Sequence, residues 1–294
     1  MGPLHIARLV TSFSAVCVAA CLAVAPVSAF EIFGLKLFED QSEEDALAVI
    51  ADPQPYTVVI TVNATGSLES AVRNASALVA DQNEPASGAA GLLAKARGDY
   101  RRIVAALYNE GYYGGTVSIR VGGVEAASLA PDVDLPDPVD VAVVVDPGPQ
   151  FRFNSVTIVN QALPTSDPHD YVEPPIHAGF GAGEIARSSV ILKAEQLALE
   201  AWRQQGHAKA AIVTRDVVAD HATTSVDVTI TVNPGPLAAF GAVTVSGTET
   251  LDPEFVRRQT GLTEGEEYDP DELALAQKRL DRLEVFRAAR LEAA

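Results

Sequence analysis

The residues whose types could do chemistry cluster between positions 160 and 183. His169 and His177 stand close to Asp167, Asp170 and Glu173, a donor set that would bind a transition metal if it converged. Their spacing follows neither a helical nor a strand register, so a solvated polar loop is the simpler reading. Gly179, Gly181 and Gly183 miss the dinucleotide-binding spacing and follow prolines rather than a strand. The acidic run of Glu39, Asp40, Glu43, Glu44 and Asp45 lacks the alternating ligands and turn glycine of a calcium loop. His207 and His221 flank a strand and a hairpin and read as surface residues. No Gly-x-Ser-x-Gly elbow is present, and carboxylate pairs are too common in so acidic a chain to mark an acid–base site. The expectation is a binding module, not an enzyme, with no catalytic residues, no metal site and no cofactor.

Both cysteines, Cys17 and Cys21, fall in the N-terminal segment. That segment reads as an export signal over residues 1–29: His5 and Arg8, a nearly uncharged run over 9–24, then Val27 and Ala29 for cleavage before Phe30. A retained membrane anchor, or lipidation at Cys21, are the rival readings. Cleavage leaves about 265 residues without cysteine, which excludes disulfides and zinc-thiolate chemistry. The charge of −18, from 39 acidic against 21 basic residues, disfavours nucleic acid as a partner. The product is expected to be exported, on the periplasmic side of an outer membrane.

The elements that must position any site follow from an internal repeat. Val139, Asp140, Val141, Val143 and Val145 run into Pro147-Gly148-Pro149, with Phe153 beyond. At an offset of 87 residues stand Val226, Asp227, Val228, Ile230 and Val232, then Pro234-Gly235-Pro236 and Phe240. Alternation marks a strand with one buried face, and Pro-Gly-Pro ends it, so the motif reads as a joint between units. Upstream, Tyr100, Ile103, Val104, Leu107 and Tyr108 form one helical face closed by Gly111. Ile191, Ala194, Leu197, Ala198 and Trp202 form another, closed by Gly206. Gly179 and Gly183 align with Gly261 and Gly265. Asp252 and Pro253 open a short helix over 255–259. Pro164, Pro168, Pro174 and Pro175 interrupt the matching helix of the middle unit, which predicts a loop-rich insertion. In the last unit, Leu273, Ala276, Leu280 and Leu283 begin the long helix, and its first strand is expected over 240–245. Its second strand is expected to be broken off, with a fraying end.

The βααββ order, the Gly111-Tyr112 step after the long helix, the valine strand into Pro147-Gly148-Pro149 with Phe153 after it, and the stretch 280–291 resemble the polypeptide-transport-associated (POTRA) domain. The expected fold class is α+β: tandem units, each a three-stranded sheet with two helices on one face, the third incomplete. The expected divisions are a signal at 1–29, an acidic leader at 30–52, and units at 53–149, 150–236 and 237–294. The resemblance is strongest to the TamA branch of the bacterial surface antigen superfamily, whose C-terminal barrel is not in this sequence. It implies the periplasmic arm of an outer-membrane protein, or autotransporter, assembly factor. The implied partners are unfolded or nascent outer-membrane proteins and a TamB-like inner-membrane tether. A two-partner secretion transporter, and a periplasmic hydrolase using the 164–183 insertion, are the alternatives.

A three-stranded sheet exposes an edge whose backbone groups can pair with another chain. The candidate edges are Thr116, Val117, Ser118, Ile119, Arg120 and Val121 in the first unit. In the second they are Ala210, Ala211, Ile212, Val213, Thr214, Arg215 and Asp216.

Overall fold

The structure, a computed structural model, describes residues 30–32, 35–37, 52–247, 251–285 and 290–291. The expected signal at 1–29, the acidic run at 39–45 and Phe286 lie outside them. By contacts the chain divides into Met1–Val49 and Ile50–Ala294. In the former, β1 (Phe30–Ile32) and β2 (Leu35–Leu37) pair antiparallel, Phe30 opposite Leu37, a hairpin inside the expected acidic leader. Among the described residues no helix is long and apolar enough to cross a membrane.

The first sheet of Ile50–Ala294 is built around β8 (Val139–Asp146). Val139, Val141, Val143 and Val145 are fully buried and the residues between them exposed, as a strand with one covered face requires. On one side β8 pairs in parallel with β4 (Tyr56–Val62). On the other it pairs antiparallel with β6 (Thr116–Val121), and a short β7 (Val124–Glu125) extends the sheet beyond β6. This fourth strand is an addition to the expected three. A small separate ladder joins β3 (Pro53–Gln54) to β5 (Ala86–Ser87).

One face of the sheet carries α1 (Ser67–Ala75), α2 (Ala77–Ala80) and the long α3 (Gly88–Asn109). Leu68, Val72, Leu78, Leu92, Leu93, Ala96, Ile103 and Leu107 pack there against the β8 valines. Each of these leucine, isoleucine and valine side chains contributes roughly 1.5–3 kcal/mol of burial energy. The buried carboxylate of Asp99 accepts from the Ser76 hydroxyl at 2.6 Å, from the amides of Ala77 and Leu78 at 2.9 and 3.1 Å, and from Arg102 at 2.7 Å. It thereby satisfies the donors that the start of a helix leaves open.

The second sheet repeats the plan. Its order is β10 (Ala211–Asp220), β11 (Ser225–Asn233), β9 (Arg152–Val159), with β9 parallel and β10 antiparallel to the central β11. Val226, Val228, Ile230 and Val232 are buried against Ile191, Ala194 and Ala198 of α4 (Ser188–Arg203). The proline-interrupted segment forms no short α-helix; a single 3-10 turn at Pro175–Ala178 ends on the left-handed Gly179.

After the second Pro-Gly-Pro come α5 (Pro253–Thr260) and α6 (Pro270–Asp281). The Asp252 side chain caps α5 at the Glu254 amide, and Gly261 closes it at φ 72°. The strand expected over 240–245 does not join a ladder: β4 and β9 each pair with a closing strand, and Val243 has no such partner among the described residues. Only Ala239 bridges, to Glu267.

The two joints share one hydrogen-bond pattern. At the end of α3 the Tyr112 amide donates to Leu107 O at 2.9 Å; at the end of α4 the His207 amide donates to Trp202 O at 3.1 Å. Gly111 and Gly206 sit between, at φ 84° and 80°. The carbonyl of Gly111 accepts from the Phe151 amide at 2.8 Å, and that of Gly206 from the Ala238 amide at 2.9 Å. The carbonyls of Phe151 and Ala238 accept in turn from Ala186 and Tyr268, at 3.0 Å each. The end of each long helix is therefore bonded to the first residues of the following unit, which are bonded to the approach of its own long helix. His207 belongs to the second joint, its Nδ1 2.9 Å from Gly235 O and its ring edge-on to Trp202, instead of lying free on the surface.

Candidate functional site

Four strands lie directly beside the central strands β8 and β11 of the two principal sheets, and three of them are also bonded on the side away from the central strand. On β4, the Arg73 guanidinium donates to Ile60 O at 3.2 Å. On β9, Phe153 donates to Glu184 O at 2.9 Å and accepts from the Gly183 amide at 2.7 Å. On β6, the Ile119 amide donates to the Glu125 carboxylate at 3.1 Å, Ile119 O accepts from the Ala126 amide at 2.8 Å, and Val121 pairs with Val124. Because neighbouring residues of a strand direct their backbone groups to opposite sides, bonds at Ile119 and Val121 leave Val117 as the remaining outward-facing position of β6. The Tyr100 hydroxyl donates to Glu125 and holds its carboxyl below the usual range; partial burial works the other way, and donation by Ser118 and Ile119, with Arg120 nearby, adds to the lowering. Burial, then the bond to Glu125, pushes the Tyr100 hydroxyl up to about 12.

The fourth flank differs. β10 pairs with β11 along its inner side, and no strand or side chain hydrogen-bonds its outer side among the described residues. It is the longest strand of the chain's described part, and its exposed positions include Val213 and Val218. The ladder shifts register between Ile212 and Thr214, which places a bulge at Val213 inside the segment expected to form the edge. Ala210 stands outside the strand: it is buried, and its amide donates to His207 O at 3.1 Å. The strand continues past Asp216 to Asp220, four residues that the sequence reading did not include.

Beside β10 lies a groove of about 460 Å³. Val217 and Ala219 form its strand wall, Ile191 and Leu192 its helix wall, and Tyr108 and Tyr113 its end, with Ser188, Arg215 and His221 completing the lining. Tyr108 and Tyr113 stack at 4.8 Å, Tyr113 meets Phe151 edge-on at 5.6 Å, and Phe151 meets His221 at 5.3 Å. The Tyr108 side chain, expected on the apolar face of α3, is instead exposed and turned to this end wall. The Tyr113 hydroxyl is buried without a hydrogen-bond partner, and burial followed by the neighbouring Tyr108 pushes it up to about 12. Beneath the strand, Arg215 makes a two-pronged ion pair with the buried Glu195 of α4. Bidentate pairing fixes a guanidinium in one orientation, so it ties β10 to the helix from below and leaves the edge clear.

The residues singled out for metal or nucleotide chemistry do not gather. His169 and His177 lie on the exposed insertion, and no group of three or more histidine, aspartate or glutamate side chains able to hold a metal ion is found among the described residues. Gly179 and Gly183 take left-handed conformations at φ 88° and 85°, matching Gly261 and Gly265 at 72° and 89°. Their role is to turn the chain into the long helix. The groove was not anticipated: its end wall comes from the helix of one unit and its sides from the next.

No family model matches the sequence, and no curated protein matches it. Among solved structures, the chain is similar to the crystal structure of Haemophilus influenzae BamA POTRA3-5, at 20% identity over 80% of this chain and 87% of that one, with a TM-score of 0.52. POTRA1-2 of the periplasmic domain of Omp85 from Anabaena matches at 15% identity over 64% of this chain and 99% of that one, TM-score 0.37. The N-terminal domain of Omp85 from Thermosynechococcus elongatus matches at 16% identity over 82% and 90%, TM-score 0.35. The α+β fold expected from the repeat is thus the fold of solved POTRA domains.

Proposed function

We propose that this chain is the periplasmic arm of an outer-membrane protein assembly factor, and that it captures client polypeptides by adding them as an extra strand to β10. The observation carrying this reading is the contrast among the flanks: β10 alone has an outer side free of bonds among the described residues, and it borders an apolar groove. Main-chain pairing carries no sequence information, while the groove receives side chains of an added strand, a combination suited to many unfolded clients. On this reading the units run over 53–149, 150–236 and 237–294, behind an export signal at 1–29. Autotransporter clients, a TamB-like tether and attachment to a membrane barrel are the finer assignments that the TamA resemblance implies. The role proposed is capture rather than catalysis.

The test uses two single substitutions, Asp216→Pro and Val217→Pro. Adjacent strand residues face their amides to opposite sides, so one variant loses an outward donor and keeps the ladder to β11, while the other breaks it. Thermal melting identifies the one that folds. With a photocrosslinker at Val213 and a urea-unfolded β-barrel protein as client, the folded variant should lose crosslinking by about tenfold. Unchanged crosslinking would refute capture at β10.

A further inference from the structure

The repeats differ most where the short helix belongs. In the first, α1 and α2 lay Leu68, Val72 and Leu78 into the core beneath α3; after the second joint, α5 packs on α6 with Val256, Ala276 and Leu280 buried. In the middle unit a proline-bearing segment takes that place. It is pinned to α4 by Trp202 Nε1 donating to Asn160 O at 2.8 Å, and to the turn after α4 by Gln205 Nε2 donating to Leu163 O at 2.7 Å. A segment without a helix cannot cover a helix fully, and a pocket of about 170 Å³ remains. Leu163, Tyr171, Val172, Leu197, Ala198 and Ala201 give it apolar walls. Leu163 and Tyr171 are 78% and 63% exposed, so the rim presents uncovered apolar surface above the buried Leu197 and Ala198.

The polar part of the lining is one-signed. Asp170 and Glu173 line the pocket, and no lysine or arginine does. Asp167 from the same segment, with Asp269 and Asp271 from the start of α6, lie within electrostatic reach of Asp170. Burial and these three carboxylates push the Asp170 carboxyl up, against a smaller opposing effect of His169. The space is below the roughly 300–1,000 Å³ of small-molecule sites, and suits one large apolar side chain. A second copy of the chain would bring its own charge of −18 to an acidic rim.

We propose that this pocket is a second docking surface, which takes one large apolar side chain from a partner polypeptide segment flanked by lysine or arginine. It lies on the helix side of the middle unit, apart from β10, and does not depend on client capture at that edge. The apolar anchor supplies affinity, and the acidic rim selects the flanking charges.

Fluorescein-labelled short peptides with a central leucine between lysine pairs provide the probe, titrated into the full chain by anisotropy. Two control peptides replace the leucine by serine or the lysines by glutamine. The leucine peptide should bind about tenfold or more tightly than the serine peptide. Ala201→Leu, which fills the pocket, should abolish that preference, and Asp170→Asn should weaken binding about threefold in a salt-dependent way. Should Ala201→Leu fail to fold, Tyr171→Ser at the exposed rim is expected to act in the same direction. Equal binding of leucine and serine peptides, parent-like binding by the filled or rim variant, a binding footprint on β10, or no binding at millimolar peptide would each overturn the proposal.

Discussion

The strands β6 and β10 occupy the same place beside the central strand of their sheets, and each has a glutamate next to it, yet the outer side of the first is closed and that of the second open. Glu125 stands beside β6 in the plane of the sheet, takes the Ile119 amide, and is itself held by Tyr100 and Ser118. Glu195 stands beneath β10 on α4 and takes the Arg215 side chain, leaving the backbone untouched. The strands alone do not decide which edge can recruit a partner. The position of a carboxylate relative to the sheet contributes: in the plane, together with the backbone bonds from Val124 and Ala126, it competes with an incoming strand, and below the plane it stiffens the platform for one.

The largest effect should follow from removing the platform. Arg215→Ala leaves Glu195, 7% exposed, without its partner. Breaking such a pair by deleting one member is costly; because Arg215 itself is partly in water, about 2–3 kcal/mol is expected in urea unfolding. Replacing both, as Glu195→Leu with Arg215→Met, should recover most of it, since an apolar pair carries no desolvation penalty. Recovery of stability with β10 still loosened in hydrogen exchange would separate the ion pair's orienting role from its contribution to stability.

Much of this architecture was legible in the sequence because its causes are local. Alternating valines specify a half-buried strand, Asp252 with Pro253 a helix start, and Gly111 or Gly206 a helix end, and these recur at fixed offsets. What was not legible depends on residues brought together by folding. Nothing in Thr116–Val121 foretells that Glu125 will return to bond Ile119, so the sequence treats β6 and β10 as equals. The joint was read from Pro-Gly-Pro, whereas the bonds between units run through Gly111 O and Gly206 O, which only spatial proximity reveals. A strand over 240–245 was read from its similarity to 153–159, but a ladder needs a second strand as well as a suitable first one. The burial of Asp99 follows from the turn into α2, whose donors it accepts from.

A smaller effect should come from the wall that the first unit contributes to the groove. A side chain at Gly111 meets the left-handed φ of 84° and places Cβ 2.7 Å from Ile185 Cγ2. Gly111→Ala should cost about 1–2 kcal/mol, and by shifting the Tyr108–Tyr113 wall it should weaken client crosslinking at Val213. Gly206→Ala carries the same backbone strain, but its clash is with the flexible end of Glu267, Oε1 at 2.6 Å, and it lines no part of the groove. The second variant should therefore lose similar or less stability and keep crosslinking. Equal losses from both would show that the groove's end wall has no part in capture.

The smallest predicted effect, and the most direct probe of the two edges, is their response to acid. The Glu125 carboxyl is lowered in the folded chain, so its contribution to closing β6 is fully present above the ordinary glutamate value of about 4.3 and is lost as pH falls through the lowered folded value. Tyr100 limits the other side: its hydroxyl is raised to about 12, so the donor persists below its ordinary value of about 10 and is lost as pH rises toward the folded value. The Glu125 bond to Ile119 thus spans the whole neutral range and is lost from its acid limb first. In hydrogen exchange the Ile119 amide should be protected at neutral pH and lose protection, relative to its intrinsic rate, as the solution is acidified below about pH 4. Outward amides of β10, which no carboxylate caps among the described residues, should keep a constant low protection over the same range. Glu125→Gln should remove the acid step at Ile119 and leave β10 unchanged; an acid step that survives this substitution would mean that something other than this carboxylate closes the first edge.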